Sequence, residues 1–156
     1  MADAAQPAAP DAGAGAALIL FAHGARDVAW REPVDALAQR LRRLLPRVDV
    51  VPAFLERMRP SLAEAVDAAV ARGAARIAVA PVFWAQGGHL KHDVPALLAH
   101  VCATHPEVRI DLWPVLGERD AVLDAIAADY RGLWANEGAS GEPGAVGPLS
   151  GSRLSK

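Results

Sequence analysis

Four short, mostly apolar runs punctuate the chain, at 17–21, 48–54, 76–81 and 108–112. Runs that are apolar at nearly every position read as strands buried on both faces, as in a parallel sheet. Between and after them, apolar residues recur every three or four positions, the period of an amphipathic helix. The first helical segment spans about 29–45. Val34, Leu37, Ala38, Leu41, Leu44 and Leu45 share one face, Arg40, Arg42 and Arg43 fall largely off it as a solvated face, and Pro46 stops it. The second begins at Ser61, with Glu64 placed to complete a capping box. Leu62, Ala65, Val66, Ala69 and Val70 form its stripe, and Gly73 ends it. The third spans about 94–104, with Asp93 as cap, Pro95 in the first turn and Pro106 beyond the end. The last spans about 119–134, with Val122, Leu123, Ile126, Ala127, Tyr130, Leu133 and Trp134 as its stripe.

The order βαβαβαβα implies an α/β fold with a parallel sheet and right-handed crossovers. With four strands the expected arrangement is a three-layer, flavodoxin-like sheet of order 2-1-3-4. Strands one and three are then neighbours, and the crevice above their carboxyl ends is the topological switch point where such sheets bind ligands. Residues 1–16 and 136–156 are rich in Ala, Gly, Pro and Ser without periodicity, so they read as disordered tails around a domain at 17–135.

Composition narrows this picture only a little. A chain of 156 residues fits one domain, and a formal charge of -2 gives no sign of nucleic-acid binding. The lone Cys102 excludes an intramolecular disulfide framework. No apolar run approaches the ~20 residues of a membrane span. The N-terminus lacks the basic start of a secretory signal, so the expected location is cytoplasmic, with no membrane partner.

The chemistry-bearing stretch is 81–93, Pro-Val-Phe-Trp-Ala-Gln-Gly-Gly-His-Leu-Lys-His-Asp, read as the loop after strand three. Gly87 and Gly88 let the backbone bend or pass close to a flat ligand, and His89 projects from a loop. A second pair, His23-Gly24, follows strand one. The topology places both histidines over the same crevice although they are far apart in sequence. Imidazole is a common ligand for Co, Ni, Fe and Zn and a good base near neutral pH. Two histidines without cysteines make an exchangeable site rather than a closed structural one. Glu56 can add a carboxylate, and Arg26, Arg57, Arg59, Lys91 and His92 offer positive charge to an anionic ligand. His100 and His105 read as structural, and Trp30, Trp113 and Trp134 as packing residues.

These stretches, together with Ala53-Phe54-Leu55-Glu56, Pro60-Ser61-Leu62 and Asp93-Val94-Pro95, occur in the order and spacing of a known family over about 17–135. The chain resembles the small single-domain sirohydrochlorin cobalto-/ferrochelatases of the class II, ATP-independent chelatase superfamily. The resemblance implies insertion of a divalent metal (Co²⁺, Fe²⁺ or Ni²⁺) into sirohydrochlorin in cobalamin or sirohaem biosynthesis, with the metal as substrate and no permanently bound cofactor. It implies His23 as proton acceptor and metal ligand, His89 as second metal-binding histidine, and Glu56 near the metal. It places Trp84, Ala85, Gln86, Gly87, Gly88 and His89 in the substrate-binding loop and Arg59 at a substrate-contacting position; Arg26, Arg59 and Lys91 would meet the carboxylates of the macrocycle. Longer members carry two such halves, so a chain of this size implies a homodimer. The sequence departs from the family at Ala25, where serine is usual, at Trp84, where leucine is frequent, and at Glu118-Arg119-Asp120, where His-Pro is common.

Two other readings stand beside this one. A non-catalytic metal or tetrapyrrole carrier on the same fold would bind without turnover. A phosphohydrolase using His23 as nucleophile is disfavoured because Ala22, not arginine, precedes it. No Gly-x-Ser-x-Gly, Gly-x-Gly-x-x-Gly or P-loop occurs.

Overall fold

A computed structural model describes residues 15–85, 87 and 90–139, with the backbone alone at 90, 91 and 137–139. Strands β1 (Ala16–Ala22), β2 (Val48–Phe54), β3 (Arg76–Pro81) and β4 (Arg109–Leu112) form one sheet in the order β2-β1-β3-β4. Every pairing is parallel. Helices α1 (Glu32–Leu44), α2 (Leu62–Ala71) and α3 (Leu90–Thr104) follow the first three strands, and α4 (Asp120–Ala139) follows the fourth. Contacts divide the chain into two compact units, Met1–Arg119 and Asp120–Lys156. The first holds the whole sheet and α1 to α3.

The period of two in β1 builds two cores. Ala17, Ile19 and Phe21 face one way and cluster with Leu62 and Val66 of α2 and Val94 and Leu98 of α3. Leu18, Leu20 and Ala22 face the other way and cluster with Val34 and Ala38 of α1. The central strand is therefore covered on both sides, and the three layers expected from the sequence are present.

Local chemistry sets the helix ends. Ser61 Oγ accepts from the Glu64 N–H at 3.3 Å, and Glu64 Oε2 accepts from the Ser61 N–H at 2.8 Å, so the expected capping box forms. Gly73, at φ +91°, follows the last turn of α2 in the left-handed region that glycine tolerates best.

The structure revises several expectations. Strand β1 begins at Ala16, inside the expected N-terminal tail, because the Gly15 carbonyl accepts from the N–H groups of Ala75 and Arg76 and extends the pairing. The first helical segment opens as a 3-10 turn, Val28–Arg31, capped by the Asp27 side chain. Its stripe is buried only as far as Leu41; Leu44 and Leu45 are exposed. Helix α3 starts at Leu90, so Lys91, His92 and Asp93 are helical and Pro95 lies inside the helix. Pro95 has no N–H for the carbonyl four residues back, and that turn forms with the bond missing. Helix α4 runs past the expected domain end at 135 to Ala139. Asn136 and Glu137 carry nothing that breaks a helix, and a single Gly138 costs only about 1 kcal/mol. Tails 1–14 and 140–156 lie outside the described residues. Of the three tryptophans expected to pack, Trp30 is 72% exposed and Trp134 79%, while Trp113 is 39% exposed. Arg42 is more than a solvated residue, since Nε and Nη2 both donate to the Val50 carbonyl, at 3.0 and 2.6 Å. That carbonyl belongs to edge strand β2, where a charged donor takes the place of a further strand. Pro52 is tolerated in β2 for the same reason.

Replacing Ser61 with alanine removes the reciprocal cap and is expected to lower unfolding stability by about 1 kcal/mol. Urea denaturation checks this; an unchanged midpoint would show that α2 is held by burial alone.

Candidate active site at the carboxyl ends of β1 and β3

Residues at the end of β1 are held from both sides. The register pairs Ala22 with Phe54 of β2 and Phe21 with Pro81 of β3, so the three strands end at one level. Pairing continues past the strands. Leu55 N–H donates to the Ala22 carbonyl at 2.9 Å, Glu56 N–H to the His23 carbonyl at 3.1 Å, and Val82 N–H to the Phe21 carbonyl at 2.7 Å. The backbone of His23 is thereby fixed while its side chain stays exposed. Its ring lies 4.9 Å from that of Phe83, at 58° between planes.

Gly24 makes the turn after His23 with φ +85°. A Cβ there would sit 2.0 Å from the Glu56 carbonyl oxygen. Only glycine lets these two loops approach so closely. The β2–α2 loop is itself tightly drawn. Arg57 takes a left-handed conformation, φ 63°, Met58 N–H donates to the Glu56 carbonyl, and Phe54 N–H to the Pro60 carbonyl. The Arg59–Pro60 peptide is cis.

On the other side, the loop after β3 leans on the segment after β4. Leu116 N–H donates to the Phe83 carbonyl and Gly117 N–H to the Trp84 carbonyl, both at 2.9 Å. A Cβ on Gly117 would lie 2.3 Å from that Trp84 oxygen. Trp84 is 57% exposed on this anchored backbone and presents a flat apolar ring at the end of β3.

Of the residues expected at the site, Glu56 is joined to His23 by its backbone N–H, and Trp84 directly follows Phe83, whose ring lies beside that of His23. Ala85 and Gly87 continue the loop and are exposed. Gln86, Gly88 and His89 lie outside the described residues, and so does the side chain of Lys91. Arg26 is exposed on the turn after His23. Arg59 is ion-paired with Glu64, and its carbonyl accepts from Arg31 Nη1 at 2.8 Å. The Glu56 carboxylate meets Arg57 at 3.4 Å. Among the described residues no group of three His, Cys, Asp or Glu stands close enough to hold a metal ion. Sequence reasoning misses Phe83 and Gly117. Phe83 lies inside the chemistry-bearing stretch 81–93 without a role of its own, and Gly117 stands directly ahead of Glu118-Arg119-Asp120. His105, expected to be structural, pairs with Asp67 at 2.6 Å, away from these loops and at the far end of α3.

Gly24→Ala is expected to cost about 3 kcal/mol, since it combines a left-handed φ with a clash against backbone. Gly73→Ala, which also has a positive φ but nothing within 4 Å of the added carbon, is expected to cost only about 1 kcal/mol. Urea melts of the two variants separate the cost of the clash from that of the dihedral; equal losses would refute the tight approach.

Comparison with known proteins agrees with this fold. The family model described as CbiX matches residues 17–132. The sirohydrochlorin cobaltochelatase of Sulfolobus acidocaldarius is 31% identical over 123 residues, which are 79% of this chain and 96% of that protein. The sirohydrochlorin ferrochelatase of Bacillus subtilis is 34% identical over 73 residues, covering 47% of this chain and 28% of that longer protein. The crystal structure of a CbiX protein from Marinobacter aquaeolei superposes with a TM-score of 0.68 at 31% identity, over 77% of this chain and 98% of that one. The parallel sheet of order 2-1-3-4, the histidine turn at the end of β1 and the match across 17–132 lead to one conclusion: this chain belongs to the CbiX family.

Proposed function

We propose that this protein is a sirohydrochlorin metal chelatase, a lyase that inserts Co²⁺ or Fe²⁺ into the macrocycle without a nucleotide. The observation that carries this reading is the exposed imidazole of His23, fixed through its backbone at the switch point of a CbiX-family sheet. Sirohydrochlorin enters with two pyrrolic protons and leaves as the metal complex, so two protons must be collected for each ion inserted. His23 binds the incoming ion and, as the ion passes to the macrocycle, its freed nitrogen accepts one of the two protons, while the second leaves to solvent water. His89, from the loop after β3, serves as the second metal-binding histidine. The Glu56 carboxylate, close by in chain path, adds negative charge to the cation's route. The exposed Trp84 offers a flat face to the ring, and the loop residues Ala85, Gln86, Gly87, Gly88 and His89 complete the substrate-binding stretch. Arg26, Arg59 and Lys91 meet the peripheral carboxylates as charge-assisted partners.

A single α/β half presents one wall of such a cleft. A second copy related by two-fold symmetry supplies the other, so the working form is a homodimer of 16.3 kDa chains. The active domain is 17–135 extended by the end of α4. No helix among the described residues is long and apolar enough to cross a membrane. The cytoplasm is the location we assign.

The test is an anaerobic absorbance assay with sirohydrochlorin and Co²⁺, Fe²⁺ or Ni²⁺. The wild type is expected to turn over many equivalents, with His23→Ala and His89→Ala each slowing the reaction by about 100-fold or more. A stoichiometric spectral change without turnover identifies a carrier, and a rate equal to buffer overturns the chelatase reading. Light scattering on the same sample is expected to return twice the chain mass; a monomer that turns over at full rate would remove the dimer from the proposal.

A further inference from the structure

The His23 side chain is supported in an unusual way for a metal-binding histidine. Such residues commonly donate their second ring nitrogen to a carboxylate or a carbonyl, which orients the ring and strengthens it as a ligand. Among the described residues no hydrogen bond or ion pair engages the His23 ring. Its neighbour is Phe83, at 4.9 Å between centroids. Phe83 is itself held firmly. It is 5% exposed, and its ring meets that of Phe21 edge-on at 5.5 Å and 67°. Phe21 is fully buried in the core of β1, and the Phe83 carbonyl is bound by Leu116. A line of aromatic contacts thus runs from the core to the imidazole.

We propose that Phe83 is a positioning residue for His23. It limits the swing of an otherwise exposed imidazole and does so without occupying either ring nitrogen. The ring's one lone-pair nitrogen is then open first to the metal and, once the ion has left, to a proton, while the other nitrogen keeps its N–H. An aromatic brace orients the ligand but does not add the basicity that a carboxylate partner would. This suits a histidine that must release its ion to the substrate rather than keep it. The functional part of the proposal rests on the reading of His23 as the residue that receives the metal.

The test uses the full chain with Phe83→Leu and Phe83→Tyr, both checked by thermal melting. The His23 ring resonances of the metal-free protein are identified by their loss in His23→Gln. Replacing Phe83 with leucine is expected to move these resonances, because the ring current of Phe83 is gone, while Phe83→Tyr leaves them close to the wild-type positions. In the chelatase assay Phe83→Leu is expected to lower kcat by about tenfold, the scale of a small misplacement of a reacting group. KM for sirohydrochlorin is expected to stay within about twofold, because the macrocycle is bound elsewhere. Phe83→Tyr is expected to retain the wild-type kcat. Unmoved His23 resonances in Phe83→Leu would overturn the contact itself. Moved resonances with unchanged kcat would overturn the positioning role. If the wild type shows no turnover, the chelatase reading fails separately. Co²⁺ titration then decides: weaker binding in Phe83→Leu supports the brace, and equal binding overturns it.

Discussion

Glu56 donates its backbone N–H to the His23 carbonyl and rests its own carbonyl against the Cα of Gly24. These two contacts tie the turn after β1 to the turn after β2. They extend the parallel ladder beyond the strands, so the backbone of His23 is as fixed as the sheet although its side chain faces solvent. The same device operates on the opposite side, where Gly117 lies against the Trp84 carbonyl and holds the start of the β3 loop. In both places a backbone carbonyl fills the space a Cβ would need. Main-chain packing therefore sets the starts of the two loops, while the side chains of His23 and Trp84 stay exposed.

Such a scaffold matches the chemistry of handing on a metal ion. A closed structural site gathers three or four ligands and holds them. Here the described residues offer one exposed imidazole at the carboxyl end of β1, a nearby carboxylate already shared with Arg57, and an aromatic surface. A cation meeting such a site exchanges readily, which is what transfer to a macrocycle with four nitrogens requires. The aromatic support of His23 belongs to the same logic, because it restrains direction without tightening the hold.

Much of the sheet was legible in the sequence. Unbroken apolar runs such as Leu18-Ile19-Leu20-Phe21 admit burial on two faces, and that with the βα alternation leads to the 2-1-3-4 order and to the two loops that share a crevice. The capping box at Ser61 was legible because its two partners are three residues apart. Contacts between distant segments were not. The approach of Gly24 to Glu56, the bond from Gly117 to Trp84 and the Phe83 ring beside His23 each join residues more than 30 positions apart, and no local period encodes them. Local rules also misplaced the start of α3. Proline favours the first turn, yet the helix runs one more turn ahead of Pro95. Arg42 read as a wet face because its donor geometry toward Val50 depends on how α1 crosses the edge strand. Trp30 and Trp134 show the limit of composition, since an aromatic residue at helical spacing is not thereby buried.

The claim at the centre of this account is that a divalent ion meets the protein at the turn after β1. Paramagnetic Co²⁺ added to isotope-labelled protein tests it directly, because resonances broaden steeply with proximity to the ion. Broadening is expected to centre on His23 and to include Gly24, Glu56 and Phe83, with His100 and His105 unaffected. Broadening centred on His100 or His105, with the His23 resonances sharp, would contradict the account.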